Sequence, residues 1–283
     1  MASFADRLML AVERTGSPVC VGLDPVLERL PVRADDPIDA VRTFCLGVLD
    51  GVAGVAAAVK PQSACFERYG WRGVRLLEEV LAGARERGLL TINDAKRGDI
   101  AISATHYAEA LLGAGSHADA LTVNGYLGAD TLSPFVEVAA RERAGLFVLV
   151  RTSNPGSDEV QGERLVSGGT LAEHLARMVD RLGAEHVSSA SGLSLLGAVV
   201  GATKVEDAEA LRGLMPRQVF LLPGYGAQGG DASSLRRYAT AEGRGVLVTA
   251  SRSVIYAGEG VDWVAGVRGA AERMRDEVGA ALG

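Results

Sequence analysis

The chain has 283 residues, 48% hydrophobic and 23% charged, with a net charge of −6 from 29 basic and 35 acidic side chains. Such a composition suits a soluble globular protein with room for one large core or two smaller ones, and it lacks the basic footprint of a nucleic-acid binder. The most apolar run, 46–59, is 14 residues long and contains Asp50, too short to span a bilayer.

The N-terminus has neither a basic n-region nor an apolar h-region, so no secretory leader is expected and the cytoplasm is the default location. Ser3 can cap a short helix within 1–16 that carries Phe4, Leu8 and Val12 on one face. Eight short apolar runs follow, most ending in polar or glycine-rich residues: 19–24, 55–60, 89–96, 118–124, 146–153, 196–203, 219–225 and 245–253. Runs apolar on both faces, such as Leu146-Phe147-Val148-Leu149-Val150, fit buried parallel strands. Helical patterns lie between them, at 71–87 with Gly88 as its stop and at 206–214 before Pro216. Eight strand–helix units in a chain of this length predict a single (β/α)8 barrel domain. The alternative, an open doubly wound sheet, lacks its glycine fingerprint after the first strand, which ends Gly22-Leu23-Asp24-Pro25. The segment 154–169 is polar and glycine-rich, which predicts a long mobile loop serving as a lid or an inert insertion.

Cys20, Cys45 and Cys65 form no zinc or disulfide pattern, and His106, His117, His174 and His186 show no ligand spacing, so no metal is expected. A barrel keeps its chemistry at the C-terminal ends of its strands. Found there are Asp24, Lys60, Asp94 with Lys96, Asn124, Thr152-Ser153-Asn154, Thr203, Pro223 and Gly224 to Gln228, and Ser251-Arg252. Asp94 and Lys96 are two apart on a strand and so share a face. Each charge alone could belong to an ion network that only fixes the barrel. Four of them, Asp24, Lys60, Asp94 and Lys96, converging on one mouth favour function. Asp99 could cap the helix after it or project toward a neighbouring subunit. The glycine-rich run 223–230 and Ser251-Arg252 follow strands seven and eight, a frequent phosphate site.

Asp94-Ala95-Lys96-Arg97-Gly98-Asp99-Ile100 resembles the D-x-K-x-x-D-I signature of the orotidine 5′-phosphate decarboxylase family. Arg151-Thr152-Ser153-Asn154-Pro155-Gly156 and the run from Pro223 to Asp231 are similar to its longer, bacterial subgroup, and the likeness extends from about Cys20 to Tyr256. Ser103 stands where the family usually has Thr, and Gly125 where the subgroup often has Pro. The resemblance implies decarboxylation of orotidine 5′-phosphate to UMP, the last step of de novo pyrimidine nucleotide synthesis, with no cofactor. It implies a homodimer in which Asp99, Ile100 and Ser103 enter the active site of the partner. Asp24 and Lys60 would hold the ribose and the charge network, and Ser153 would face the pyrimidine. Gln228 and Arg252 would bind the phosphate.

Loss of CO2 from C6 leaves an in-plane carbanion that the ring π system cannot delocalise. A preorganised cation must stabilise it and then protonate it, and Lys96 can do both. Asp94 and Asp99 of the partner subunit would hold the ammonium in place. Crowding of the substrate carboxylate by Asp94 ranks second. The nearest rival is a magnesium-dependent sugar-phosphate decarboxylase sharing D-x-K-x-x-D, which carries an acidic metal ligand after strand two, where this chain has Lys60. A non-catalytic phosphate-binding barrel would not need Asp94, Lys96 and Asp99 together.

Overall fold

The computed structural model describes residues 2–226 and 232–283. Eight strands close into a parallel barrel in chain order: β1 (Val19–Leu23), β2 (Ala58–Pro61), β3 (Leu90–Arg97), β4 (Ala120–Val123), β5 (Gly145–Arg151), β6 (Leu196–Val200), β7 (Phe220–Pro223) and β8 (Val246–Ala250). β8 pairs with β1 through Val19↔Val248 and Cys20↔Thr249, which removes both sheet edges. All eight expected strands are present. Most are shorter than the apolar runs, because the polar residues at their C-terminal ends leave the ladder to form the mouth. At β8, for example, Ser251 turns out of the strand with φ −122° and ψ −85°, and a helix begins at Arg252.

The helices are α1 (Phe4–Thr15), α2 (Pro37–Val52), α3 (Ser63–Glu67), α4 (Gly70–Glu86), α5 (Ala101–Leu112) and α6 (Ala129–Glu142), then α7 (Ser157–Val160), α8 (Leu171–Gly183), α9 (Val205–Leu214), α10 (Arg252–Ile255) and α11 (Trp263–Leu282). A 3-10 helix, Ala232–Tyr238, precedes β8. The apolar run 46–59 divides between the end of α2 and the start of β2. No helix among the described residues is long and apolar enough to cross a membrane.

α1 closes the N-terminal end of the barrel. Ser3 and Asp6 form a capping box at its start, and Gly16 ends it at φ 75°. Phe4 meets Phe147 of β5 edge-on, with ring centroids 5.9 Å apart. Gly145 leaves room for that ring, since a Cβ there would come within 2.3 Å of it. Cys20, Ile92, Ala120, Phe147, Leu221 and Leu247 join α1 in this inner core. A second core, including Phe44, Leu81, Phe135, Val179 and Val267, lies between the sheet and the helices. Each fully buried large side chain contributes about 1.5–3 kcal/mol, so these two layers dominate the stability.

The inner layer also places the chemistry. Two residues beyond Ala58, Ile92 and Ala120, on the same inward face, stand Lys60, Asp94 and Thr122. Polar side chains thus replace the apolar layer where the barrel opens. Beyond β5, the segment 154–169 contains α7 and is tethered to the barrel: Asp158 pairs with Arg151 and, at 2.7 Å, with Lys204.

Candidate active site

Asp94 is the hub of the mouth. Its Oδ2 accepts hydrogen bonds from Lys60 Nζ at 2.5 Å and Gln62 Nε2 at 3.2 Å. Its Oδ1 accepts from Lys96 Nζ at 2.6 Å and Thr122 Oγ1 at 2.9 Å. Four donors therefore surround a carboxylate that is only 5% exposed, which is what a buried anion requires. Burial pushes its pKa up, but Lys60 and Lys96 outweigh it and hold Asp94 well below the usual carboxylate range. Burial likewise disfavours the charged Lys60, while Asp94 and then Asp24 more than compensate and hold its pKa above the usual lysine range.

The lysines differ in freedom. Lys60 is buried, whereas the Lys96 side chain is 43% exposed and faces the cleft. Simple alternation along β3 does not bring Lys96 there. Between the paired positions Asn93↔Leu121 and Arg97↔Val123, β3 runs through three residues where β4 has one. This bulge puts Lys96 in the left-handed region, at φ 50°. Bulges re-aim side chains beside active sites, and non-glycine strain of this kind collects there.

Asp24, at the end of β1, does not pair with Lys60. Ser251 Oγ donates to its Oδ2 at 2.6 Å, while its Oδ1 is buried without a partner among the described residues. Gly22 permits this contact, because a Cβ there would lie 2.9 Å from Ser251 Cβ. Ser153, after β5, sits over Gly201, where a Cβ would meet the Ser153 Cα at 2.8 Å. Asp24, Lys60, Asp94, Lys96, Ser153 and Pro223 share one cleft of about 370 Å3, within the roughly 300–1,000 Å3 of small-ligand sites. Asp24, Lys60 and Pro223 also line an adjoining cleft with Gly224, Ser251 and Arg252. Arg252 lines this adjoining cleft and forms no ion pair with a carboxylate among the described residues. Gln228 lies outside the described residues.

Asp99, Ile100 and Ser103 line neither cleft. Asp99 Oδ1 accepts the Ile100 N–H at 2.8 Å, while Ile100, the N-cap of α5, receives no side-chain cap. Ile100 is 60% exposed, Ile102 two residues on is exposed, and so are Tyr126 and Leu127 in the loop after β4, whose Asn124 packs against Gly98.

Sequence reasoning missed Gln62 and Thr122. Thr122 was within reach through the period-two pattern from Ala120, but a threonine in a β-branched run reads as strand propensity. Gln62 lies just past β2, where pairing continues through an isolated bridge to Asp94 and a backbone hydrogen bond to Leu23 O. Conversely, Asn124 and Thr203 do not line the clefts. Asn124 Oδ1 turns back to the Tyr126 N–H, and the Thr203 hydroxyl is buried without a partner among the described residues. The three cysteines are unpaired, and no group of three potential metal ligands occurs among the described residues.

Known proteins share this architecture. The family model "Orotidine 5′-phosphate decarboxylase / HUMPS family" matches residues 17–265. A Rhodopirellula baltica protein named orotidine 5′-phosphate decarboxylase is 42% identical over 98% of this chain and 99% of its own. One of the same name from Deinococcus radiodurans is 46% identical over 94% and 93%. The solved structure of Leishmania donovani OMP decarboxylase matches with a TM-score of 0.81 at 32% identity, covering 99% of each chain. With a family model spanning most of its length and relatives this similar end to end, the chain belongs to the orotidine 5′-phosphate decarboxylase / HUMPS family.

Proposed function

We propose that this chain decarboxylates orotidine 5′-phosphate to UMP through Lys96, in a metal-free site completed by a second copy of the chain. The observation that carries the reading is Asp94 held between Lys60 and Lys96, with the Lys96 ammonium facing the cleft. As the bond from C6 to the carboxylate carbon breaks, CO2 leaves and its electron pair remains on C6. The Lys96 ammonium stabilises that charge and then transfers a proton to C6, giving UMP; solvent returns the proton to the amine. Preorganised charge of this kind needs no reorganisation at the moment of reaction. Lys60, held by the same carboxylate, fixes the array.

The rest of the substrate is assigned by chemistry. The Oδ1 of Asp24, buried without a partner among the described residues, suits a ribose hydroxyl. Ser153 faces the pyrimidine beside Lys96. Arg252 and Ser251, with Pro223 and the Gly224 turn, take the phosphate, and Gln228 joins them. The lack of an ion pair at Arg252 among the described residues supports this. Closure of 154–169 over the ligand belongs to the same proposal.

Asp99, Ile100 and Ser103 serve the active site of a partner in a homodimer. Their position outside their own chain's clefts supports this, as do the exposed Ile100, Ile102, Tyr126 and Leu127, which a second copy would bury. The enzyme is expected to work in the cytoplasm. The magnesium-dependent alternative has less support, since Lys60 stands where its acidic ligand is needed.

The test follows the ultraviolet absorbance of orotidine 5′-phosphate with purified protein, with and without EDTA. Rapid loss unaffected by EDTA is expected. An unchanged absorbance, or activity that returns only with magnesium, overturns the reading.

A further inference from the structure

We infer that Thr122 is a positioning residue for the decarboxylation, its single hydroxyl fixing both the Asp94 carboxylate and the backbone that carries Lys96. The inference rests on the assignment of Lys96 and Asp94 to the reaction given above.

The bulge in β3 creates a problem that Thr122 solves. Where β3 has three residues opposite one of β4, that one residue is Thr122. The regular ladder is interrupted, and the Lys96 amide needs another acceptor. It donates to Thr122 Oγ1 at 3.0 Å. The same oxygen donates its own hydrogen to Asp94 Oδ1 at 2.9 Å. A hydroxyl can accept and donate at once, so both roles fit one atom. Thr122 is 1% exposed, which leaves water little access to either bond.

The consequence is geometric. Lys96 holds φ 50°, a conformation that a lysine adopts only when its surroundings impose it. The hydroxyl ties this strained residue to the carboxylate that its own ammonium contacts at 2.6 Å. Backbone, side chain and counterion of the proton donor thus meet at Asp94 Oδ1 and Thr122 Oγ1. Valine has the shape of threonine without either hydrogen-bonding capacity, and serine has the hydroxyl without the methyl. The pair separates hydrogen bonding from packing.

The experiment compares Thr122→Val and Thr122→Ser in the full-length protein. It measures kcat and KM for orotidine 5′-phosphate, the dissociation constant of UMP, and hydrogen exchange of the peptide containing residue 96. Thr122→Val is expected to lower kcat roughly 10- to 100-fold, the effect of misplacing a preorganised charge. KM and the UMP dissociation constant should stay within about twofold, and exchange at residue 96 should quicken. Thr122→Ser should retain kcat within about threefold. If Thr122→Val does not fold, Thr122→Ala against Thr122→Ser makes the same comparison. Unchanged kcat in the variants lacking the hydroxyl, or a loss as large in Thr122→Ser, overturns the inference. Inactivity of the unsubstituted protein would count instead against the decarboxylase reading.

Discussion

Lys96→Ala lowers kcat for orotidine 5′-phosphate decarboxylation by roughly 10⁴-fold or more, because it removes charge stabilisation and the proton donor together. The substitution should spare the fold. The Lys96 side chain is 43% exposed, and Asp94 keeps Lys60, Gln62 and Thr122 as donors. Lys60 cannot take over the proton transfer, because it is buried and committed to Asp94 Oδ2. Steady-state kinetics with thermal unfolding of the same preparation checks this. A variant that keeps the melting temperature and loses activity supports the role. Residual activity above about one per cent of the unsubstituted rate would assign the chemistry elsewhere.

Arg252→Ala is expected to lower kcat/KM by roughly 10²- to 10³-fold, the size of a lost charge-assisted contact to a phosphate. Arg252 begins α10 directly after Ser251 and lies with Gly224 along the cleft that adjoins Lys60. The phosphate is remote from the bond that breaks, so part of the loss should fall on kcat if its binding energy drives closure. Free guanidinium should restore part of the rate, since the vacated space can admit the same cation. Kinetics titrated with guanidinium at fixed ionic strength reads this out. Unaltered kcat/KM would remove Arg252 from the phosphate site.

The barrel was legible because its signal is repeated. Eight apolar runs separated by helical patterns leave few topologies, and each inward strand position reinforces the next. Lys60, Asp94, Lys96 and Ser153 were legible as polar residues at strand ends, and they share one cleft. The route by which Lys96 gets there was not. Alternation put it on the face of Asp94, whereas the structure does so through a bulge, which depends on the pairing of β3 with β4 rather than on local pattern. The same holds for Asp24. Strand-end position set it with Lys60 among four charges at one mouth, which it does share, but not its hydrogen-bond partner: barrel closure brings β8 against β1, and Asp24 takes Ser251 through the gap at Gly22. Asn124 failed as a site residue because its short amide side chain satisfies its own turn, a local competitor that strand position cannot reveal. In the segment 154–169, composition conveyed loop character but not α7, or the ion pairs of Asp158 with Arg151 at the end of β5 and with Lys204, 46 residues away.

The proposed dimer joins Lys96 of one chain to Asp99 of the other in each active site. Mixing Lys96→Ala with Asp99→Ala subunits tests it most directly. Each variant alone should be nearly inactive. After subunit exchange at equal amounts, half the dimers pair the two variants, and each of those has one intact site, so about a quarter of the unsubstituted activity is expected. Absence of recovery, with subunit exchange demonstrated independently, would contradict a shared site and return Asp99 to its own chain.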